Sequence, residues 1–272
     1  MTATLLAMLG VVAGTQPAVA KKPESVRIPP IARNVRIDEK LGAKIPTDLH
    51  FVDATGAKVT LGKYLGGEKP MLLILAYHRC PMLCSLVIQS VAKAVADISL
   101  VPGEDFVVVT VSIDPRDTID DAARAQERAL AEIGAPGNRS AWPFLVGEQQ
   151  DIEKLADAIG FRYAYDPRSK LYAHPAVVTV VAPDGMISRY LYGIDLSGRD
   201  VRLSLVDASD GKVGSVIDRI LLTCFHYDPA SRRYGVYVVG FFKIGGAILL
   251  LMTAIGGLVL WRIERRRRTR GD

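Results

Sequence analysis

The fold of this chain is constrained most by two apolar runs, residues 71–77 (MLLILAY) and 106–113 (FVVVTVSI). Runs of this kind, without strict polar alternation, are typical of strands that are buried on both faces. Between them, residues 83–100 carry apolar side chains at helical spacing, and a second helix with a polar face is predicted over residues 118–133. Buried strands that alternate with helices predict an α/β domain.

In the second half of the domain, the alternation of strands and helices is followed by a predicted β-hairpin. The pattern predicts a short strand over 142–146, a short helix over 151–159, strands over 177–181 and 187–192, and a final helix over 213–224. Pro183-Asp184-Gly185 separates the two later strands and is typical of a hairpin turn, while residues 201–206 fit either a strand or a helix. The terminal hairpin, with a cysteine pair after the first buried strand, favours a thioredoxin-like α/β sandwich.

The two ends of the chain predict export and anchoring. Residues 1–20 carry no charged side chain and finish in Ala18-Val19-Ala20, which is typical of a secretory signal peptide, although the usual basic start is missing. Residues 244–261 carry no charge and are long enough for a C-terminal transmembrane helix, which we extend to 236–261. Between these ends we predict an extended lead-in over 21–47 and one thioredoxin-like domain over 48–227.

A basic tail follows the predicted anchor. Residues 262–272 hold six arginines against Glu264 and Asp272 and supply +4 of the formal net charge of +5. By the positive-inside rule this tail is cytoplasmic, so we predict a single-pass cell-membrane protein with its domain on the periplasmic or outer side. Because the exported part is close to neutral, the basic balance does not indicate a nucleic-acid partner.

Two of the three cysteines lie four positions apart in residues 77–90 (YHRCPMLCSLVIQS), where the first buried strand gives way to a helix. Positions i and i+4 share a helix face, so we expect the Cα atoms of Cys80 and Cys84 roughly 6 Å apart, within the range of a disulfide. A helix N-terminus also favours the thiolate form. The pair is therefore suited both to redox cycling and to metal ligation.

A metal site needs a third donor, and the candidates are the four histidines, His50, His78, His174 and His226. His50 is expected at the surface, whereas His78 lies two residues before Cys80 and either shields the pair or points elsewhere. In a thioredoxin-like fold, the loop that enters the strand after His174 lies against the start of the cysteine helix. Two thiolates with one imidazole suit Cu(I), whereas structural zinc needs a fourth protein ligand.

Three motifs together resemble the Sco/SenC family of copper-binding cytochrome c oxidase assembly proteins. They are C-x-x-x-C after a buried strand, VSIDPRDT (111–118), and a histidine before VVTVVAPDG (177–185), and they extend the resemblance over about residues 48–220. The resemblance implies a thioredoxin-like fold, a membrane anchor, and copper bound by Cys80, Cys84 and His174, as Cu(I) with Cu(II) left open. It also implies copper delivery to, or reduction of, the CuA site of cytochrome c oxidase subunit II.

The chain departs from the family pattern at three points. Met82 and Ser85 stand where the family commonly has an acidic residue and a proline, and the predicted anchor is C-terminal instead of N-terminal. These differences affect the assignment to CuA more than they affect copper or thiol chemistry in general.

Three further residues are candidates of lower rank. The resemblance places Asp114 near the copper, where it either orients a ligand or attracts the cation, while Asp117 or Thr118 is expected to cap the next helix. Cys224 and His226 lie in TCFHYDP, shortly before the predicted anchor. A free buried cysteine is the simpler interpretation of Cys224, and a second metal contact or a mixed disulfide is the alternative.

Three classes of function remain. A copper metallochaperone would pass Cu(I) to a client by ligand exchange, and a thiol–disulfide reductase would use Cys80 and Cys84 as attacking and resolving thiols on client cysteines. A peroxidase or redox sensor is the third class, without distinctive residues to support it. His174 favours the first class, whereas a cis bond before Pro175 would favour the second. We therefore predict a metallochaperone whose partner is subunit II or another copper client, with thiol exchange as the alternative.

Overall fold

The computed structural model describes residues 34–65, 67–79, 83–135, 137–210, 225–228, 233–236, 246, 249–258 and 261–262. Of residues 83–85, 225–228 and 233–236 it describes the backbone alone. The predicted signal peptide and the predicted helix over 213–224 lie outside these ranges. Within the predicted anchor, residues 249–258 are helical, and no helix in the described ranges is both long and apolar enough to cross a membrane.

Strands and helices alternate through most of the described chain. The strands are β1 (Arg36–Ile37), β2 (His50–Asp53), β3 (Lys58–Thr60), β4 (Met71–Ala76), β5 (Val107–Ser112), β6 (Phe144–Gly147), β7 (Phe161–Arg162), β8 (Ala164–Asp166), β9 (Leu171–Ala173), β10 (Val177–Val181), β11 (Ile187–Tyr192), β12 (Phe225–Asp228) and β13 (Arg233–Val236). The helices are α1 (Leu83–Ala96), α2 (Ile119–Glu132), α3 (Gln149–Ala158) and α4 (Gly198–Ala208), with a short 3-10 helix over Leu61–Tyr64.

A seven-stranded sheet forms the centre of the domain, in the order β11-β10-β4-β5-β6-β2-β3. The strands β4, β5 and β6 are parallel and are connected by α1 and α2, whereas β10 is antiparallel to β4. All residues of β4 and β10 are buried, which is the burial that their apolar sequences predict. The architecture is a mixed α/β fold of the thioredoxin-like kind, as predicted.

The later hairpin is confirmed, while several short elements were missed. The strands β10 and β11 pair in antiparallel register, with Val178 opposite Leu191. Residues 201–206, which fitted strand or helix, lie in α4, where the N-cap Ser197 accepts a hydrogen bond from the backbone N–H of Asp200. The strands β2 and β3 and the separate hairpin β8–β9 were not predicted. They are too short to show a period, and β2 pairs with β6, which is distant in sequence.

Gly160 joins α3 to β7 at a point that leaves no space for a side chain. Its φ is +66°, and an added Cβ would lie 1.9 Å from the carbonyl oxygen of Asp38. The backbone N–H of Asp38 donates to the carbonyl of Gly160 at 2.8 Å, beside the pairing of β1 with β7. The position of β7 matters for the site described below, because Phe161 packs against His174.

We expect Gly160→Ala to lower the free energy of unfolding by about 3 kcal/mol, because a left-handed backbone and a close carbonyl both oppose the methyl group. Gly134→Ala is the matched control, since its φ is +69° and no atom lies within 4 Å of the added Cβ. This control should lose about 1 kcal/mol, from backbone strain alone. Urea unfolding of both variants measures the difference, and equal losses would contradict a role for the Asp38 contact.

Candidate metal and thiol site

The predicted site residues fall into two groups. His174 and Asp114 are described in full, whereas Cys80 and Cys224 lie outside the described residues. Cys84 and His226 are described only as backbone, in the first turn of α1 and in β12. Within the described part of the chain, no group of three or more His, Cys, Asp or Glu side chains is arranged to hold a metal ion. The ligand set of Cys80, Cys84 and His174 therefore stays a prediction at this point.

His174 directly follows β9 and lies three residues before β10, and its side chain is buried. Because β10 is antiparallel to β4, this residue lies beside the end of the strand that leads to the cysteines. Its ring centroid is 6.2 Å from that of Tyr77, edge to face, and 6.0 Å from that of Phe161, which stacks on it. Tyr77 precedes Cys80 by three residues, so the imidazole contacts the segment that enters the cysteine motif.

A hydrogen bond orients the His174 ring. Its Nδ1 is 3.0 Å from the carbonyl oxygen of Pro175. Since a carbonyl only accepts, Nδ1 donates in this contact, and the neutral ring carries its lone pair on Nε2. Imidazoles that ligate metals are commonly held in this way through their other nitrogen. The peptide bond between His174 and Pro175 is trans, so the condition that would have favoured thiol exchange is not met.

The other described histidines occupy different places. His50 is exposed in β2, as expected. His78 is buried, with Nε2 3.0 Å from the carbonyl oxygen of Leu145 and its ring centroid 5.4 Å from that of Phe144. Burial lowers the pKa of His78 in spite of the nearby Asp117 carboxylate, which favours the neutral ring. The His78 ring thus packs on Phe144, and because the side chains of Cys80 and Cys84 lie outside the described residues, its relation to the cysteine pair stays a prediction.

Asp117, in the loop between β5 and α2, binds the backbone just before Cys80. Its carboxylate is fully buried and accepts hydrogen bonds from the backbone N–H of His78 at 2.6 Å, from Arg79 Nε at 2.7 Å and from the Ser112 hydroxyl at 2.6 Å. These three bonds connect the last described residues before the cysteine motif to the end of β5. Asp117 thus has a positioning role and does not cap the helix.

The cap of α2 is Thr118, the second of the two residues expected there. Its hydroxyl accepts a hydrogen bond from the backbone N–H of Asp121 at 3.2 Å, and the Asp121 carboxylate accepts one from the backbone N–H of Thr118 at 2.9 Å. This reciprocal capping box satisfies two backbone donors at the start of the helix. It therefore fixes the loop that carries Asp117 against α2.

Asp114 is buried and is neutralised by two arginines. Arg116 donates to its carboxylate from Nε at 2.8 Å and from Nη2 at 3.0 Å, and Arg79 donates from Nη2 at 3.2 Å. Burial raises the pKa of Asp114, but the hydrogen bonds from Arg116 and the charge of Arg79 outweigh this and hold the pKa below its ordinary value. A carboxylate paired in this way has little charge left to attract a cation, so a positioning role fits Asp114 better.

Arg116 also contacts the hairpin β8–β9, which leads directly into His174. Its guanidinium carbon lies 4.9 Å from the ring centroid of Tyr165 and 5.8 Å from that of Tyr172. The ring of Tyr172 lies 5.7 Å from that of Tyr77. The loop between β5 and α2 therefore contacts both segments that carry predicted ligands, the cysteine segment through Arg79 and the histidine segment through Arg116.

The sequence pattern did not identify Arg79, Arg116 or the tyrosines as parts of the site. Arg79 and Asp117 are 38 positions apart, and no local period connects them. The usable signal was the pair of aspartates that directly follows a buried strand, because buried carboxylates require cationic or hydrogen-bonding partners. In the cysteine motif, the residue that could provide such a cation is Arg79, directly before Cys80.

Known proteins resemble this chain in sequence and in fold. The SCO1/SenC family matches residues 38–201. A candidate electron transfer protein of Aquifex aeolicus is 30% identical, with a TM-score of 0.55, and the match covers 64% of this chain and 96% of that one. A candidate electron transport protein of the same organism is 30% identical, with a TM-score of 0.52 and coverages of 64% and 100%. Arabidopsis thaliana ScoI, a structure with copper bound, is 19% identical, with a TM-score of 0.46 and coverages of 62% and 98%.

The sheet order and the helices place this chain in the class of thioredoxin-like α/β proteins. The family match spans more than half of the 272 residues, and the chain therefore belongs to the SCO1/SenC family. No curated protein matches the chain in sequence.

We expect Asp117→Ala to lower the free energy of unfolding by about 3 kcal/mol, because two buried donors, the His78 N–H and the Ser112 hydroxyl, lose their acceptor and the half-exposed Arg79 loses its ion-pair partner. The matched control is Asp120→Ala, which removes an exposed carboxylate from the same stretch and should have a much smaller effect. Urea unfolding of the two variants measures both values. Equal effects would contradict the positioning role of Asp117.

The lowered pKa of Asp114 predicts that the stability of the fold depends on pH. Its folded-state pKa lies below the ordinary value of 3.8, so its contribution is present above that pH and is lost as the pH falls through the folded-state pKa. Asp114→Asn should therefore reduce the loss of unfolding free energy between about pH 5 and about pH 3. Urea unfolding across this interval tests the prediction, and an unchanged acid dependence in the variant would contradict it.

Proposed function

We propose that this protein is a copper metallochaperone that binds Cu(I) through the thiolates of Cys80 and Cys84 and the imidazole of His174. Its client is the CuA site of cytochrome c oxidase subunit II, or another copper protein. The observation that carries this proposal is membership of the SCO1/SenC family, with all three donors inside the matched residues 38–201. Cys224 and His226 lie outside that match and are not needed for the site.

The chemistry of the donors supports copper as the cargo. Thiolates are soft ligands and imidazole accommodates copper well, so two Cys and one His form a three-coordinate set suited to Cu(I). His174 is buried, and its Nδ1 bond to the Pro175 carbonyl prepares Nε2 as the ligating atom.

Thiol–disulfide exchange at Cys80 and Cys84 is the second candidate function. The observation that favours it is the position of Cys84 in the first turn of α1, where a helix N-terminus stabilises a thiolate. A client disulfide would be attacked by one thiolate, and the other would resolve the mixed disulfide, leaving the client dithiol and a Cys80–Cys84 disulfide. The trans bond before Pro175 provides no support for this alternative.

Membrane attachment forms part of the proposed function. Residues 244–261 carry no charge, and the six arginines of residues 262–272 follow directly. We propose that this segment anchors the domain on the outer side of the cell membrane, where a membrane-bound oxidase would be met. Residues 1–20 would direct the export.

We expect the reduced full-length chain to bind one Cu(I), measured by competition with a chromogenic Cu(I) chelator. The double variant Cys80→Ser/Cys84→Ser should lose this binding, and His174→Ala should weaken it by about 10-fold or more, because one of three donors is removed. The matched control is His50→Ala, which removes an exposed imidazole from β2 and should leave the affinity unchanged.

The result also separates the two candidate functions. Copper binding that is weak, or equal in His174→Ala and His50→Ala, would contradict the metallochaperone. In that case the reduction potential of the Cys80–Cys84 pair, measured in thiol redox buffers, tests whether the chain can reduce a client disulfide.

A further inference from the structure

A second concave surface lies at the end of the central sheet opposite to His174. It is a cavity of about 620 Å³, and Lys69, Val107 and Pro143 are among the residues that line it. These three residues lie at or just before the first residues of β4, β5 and β6, whereas His174 contacts Tyr77, directly after β4. The volume is within the range of sites that hold small molecules. We refer to this space as the basic cavity.

Three cations line the basic cavity. The Nζ of Lys69 donates to the carbonyl oxygen of Gly103 at 2.8 Å, a neutral acceptor that holds the ammonium group without cancelling its charge. The Nζ of Lys63 lies 5.5 Å from the ring centroid of Tyr64. The guanidinium of Arg139 is exposed and forms no hydrogen bond or ion pair with the part of the chain that the structure describes. The charges of Lys69 and Arg139 are therefore available to an anion.

The loop that carries Arg139 is held from the interior of the domain. Gln126 is only 3% exposed, and its Nε2 donates to the carbonyl oxygen of Arg139 at 3.2 Å and to that of Trp142 at 2.9 Å. The buried indole of Trp142 donates from Nε1 to the hydroxyl of Thr110 at 2.8 Å. The backbone at Arg139 is thus fixed before a ligand arrives, which lowers the cost of binding.

Tyr64 adds a neutral donor to the basic cavity. Burial and the nearby Asp53 carboxylate raise the pKa of its hydroxyl to about 12, so the group stays protonated. Within the described ranges, this hydroxyl has no hydrogen-bond partner. The Asp53 carboxylate is engaged in a turn, since its Oδ1 accepts hydrogen bonds from the backbone N–H of Thr55 at 2.8 Å and from that of Ala57 at 3.1 Å.

The lining combines an excess of positive charge with apolar walls. Two carboxylates, Asp53 and Glu68, also line the basic cavity, so the three cations exceed them by one. Leu65, Val107 and Pro143 contribute apolar surface beside these charges. An inorganic anion would leave that surface uncovered, whereas an anion with an organic part would bury it. The lining therefore fits an organic anion better than an inorganic one.

We propose that the basic cavity binds a small organic phosphate. A phosphate monoester carries about −1.5 to −2 charges near pH 7 and three strong acceptor oxygens, which match an ammonium, a hydroxyl and a guanidinium donor. Lys63, Tyr64 and Arg139 supply these donors, and the organic part lies against Leu65 and Pro143. Such a phosphate is either a free ester or the headgroup of a phospholipid. Binding at this end of the sheet requires no copper.

The test is titration calorimetry of the full-length chain with phenyl phosphate, a probe that joins a phosphate to an apolar ring. Arg139→Gln and, separately, Tyr64→Phe are compared with the control Arg128→Gln. The control makes the same change in net charge as Arg139→Gln at an exposed position of α2, outside the basic cavity. Thermal unfolding of each variant verifies that it is folded, and Tyr64→Phe keeps the ring while it removes only the hydroxyl.

We expect one phenyl phosphate to bind per chain with a Kd below about 1 mM, and added salt to weaken the binding. Arg139→Gln should weaken it by about 10-fold and Tyr64→Phe by about 5-fold, because each removes a donor to a charged acceptor. The control should stay within about 2-fold of the wild-type chain. Inorganic phosphate should bind at least about 5-fold more weakly than phenyl phosphate, because it buries no apolar surface.

Competition against phenyl phosphate then distinguishes the two sources of the phosphate. The competitors are glycerol 3-phosphate, which is a free ester, and dihexanoyl phosphatidylglycerol, a short-chain phospholipid used below its micelle concentration. Stronger competition by the first assigns the basic cavity to a soluble ester, and stronger competition by the second assigns it to a lipid headgroup. Either order supports the proposal.

Two results would overturn it. One is the absence of saturable binding of phenyl phosphate to the folded wild-type chain up to about 10 mM. The other is a Kd of Arg139→Gln or Tyr64→Phe that equals that of Arg128→Gln, which would show that the probe binds outside the basic cavity. Cu(I) plays no part in these measurements, so failure here leaves the proposed function intact, and failure to bind Cu(I) leaves the phosphate site intact.

Discussion

The carboxylates of Asp114 and Asp117 provide the interaction on which the rest of the site depends. Both lie in one short loop after β5, and both are buried. Asp117 holds the backbone of His78 and the side chain of Arg79, directly before the cysteine motif. Asp114 holds Arg116, which stacks on the hairpin that leads to His174. One loop thereby sets the position of two segments that are almost 100 residues apart in the chain.

This arrangement is stable because burial and pairing are balanced. Moving a carboxylate out of water costs roughly several kcal/mol unless hydrogen-bond donors of the protein replace the lost water molecules. Here backbone, hydroxyl and guanidinium groups provide those donors. Arginine suits this task better than lysine because its guanidinium group is planar and carries several donors. Arg79 reaches Asp114 and Asp117 at once, and Arg116 binds Asp114 while it lies over the ring of Tyr165. The half-exposed arginines remain paired with these carboxylates, so the same interaction neutralises the buried charges and positions the loop.

The environment of His174 is consistent with the proposed copper binding in one specific respect. A thiol–disulfide reductase needs two cysteines and has no use for an oriented imidazole. In this chain His174 is buried, held through Nδ1, and supported by aromatic rings on both sides. A preorganised donor lowers the cost of ligation, so this geometry supports the proposed role of His174 as a copper ligand.

Local sequence by itself determined the central architecture and the identity of the candidate ligands. The runs over 71–77 and 106–113 are apolar because their strands are covered on both faces, and the cysteine pair and His174 are recognisable from their spacing. The tertiary structure alone decided the short strands β2, β3, β8 and β9 and the roles of Arg79, Arg116 and the tyrosines. These features depend on contacts between residues tens of positions apart, such as Arg79 with Asp117 or Arg116 with Tyr165. A periodic pattern reports which face of an element is buried, whereas the partner of a buried charge is set by how the elements pack.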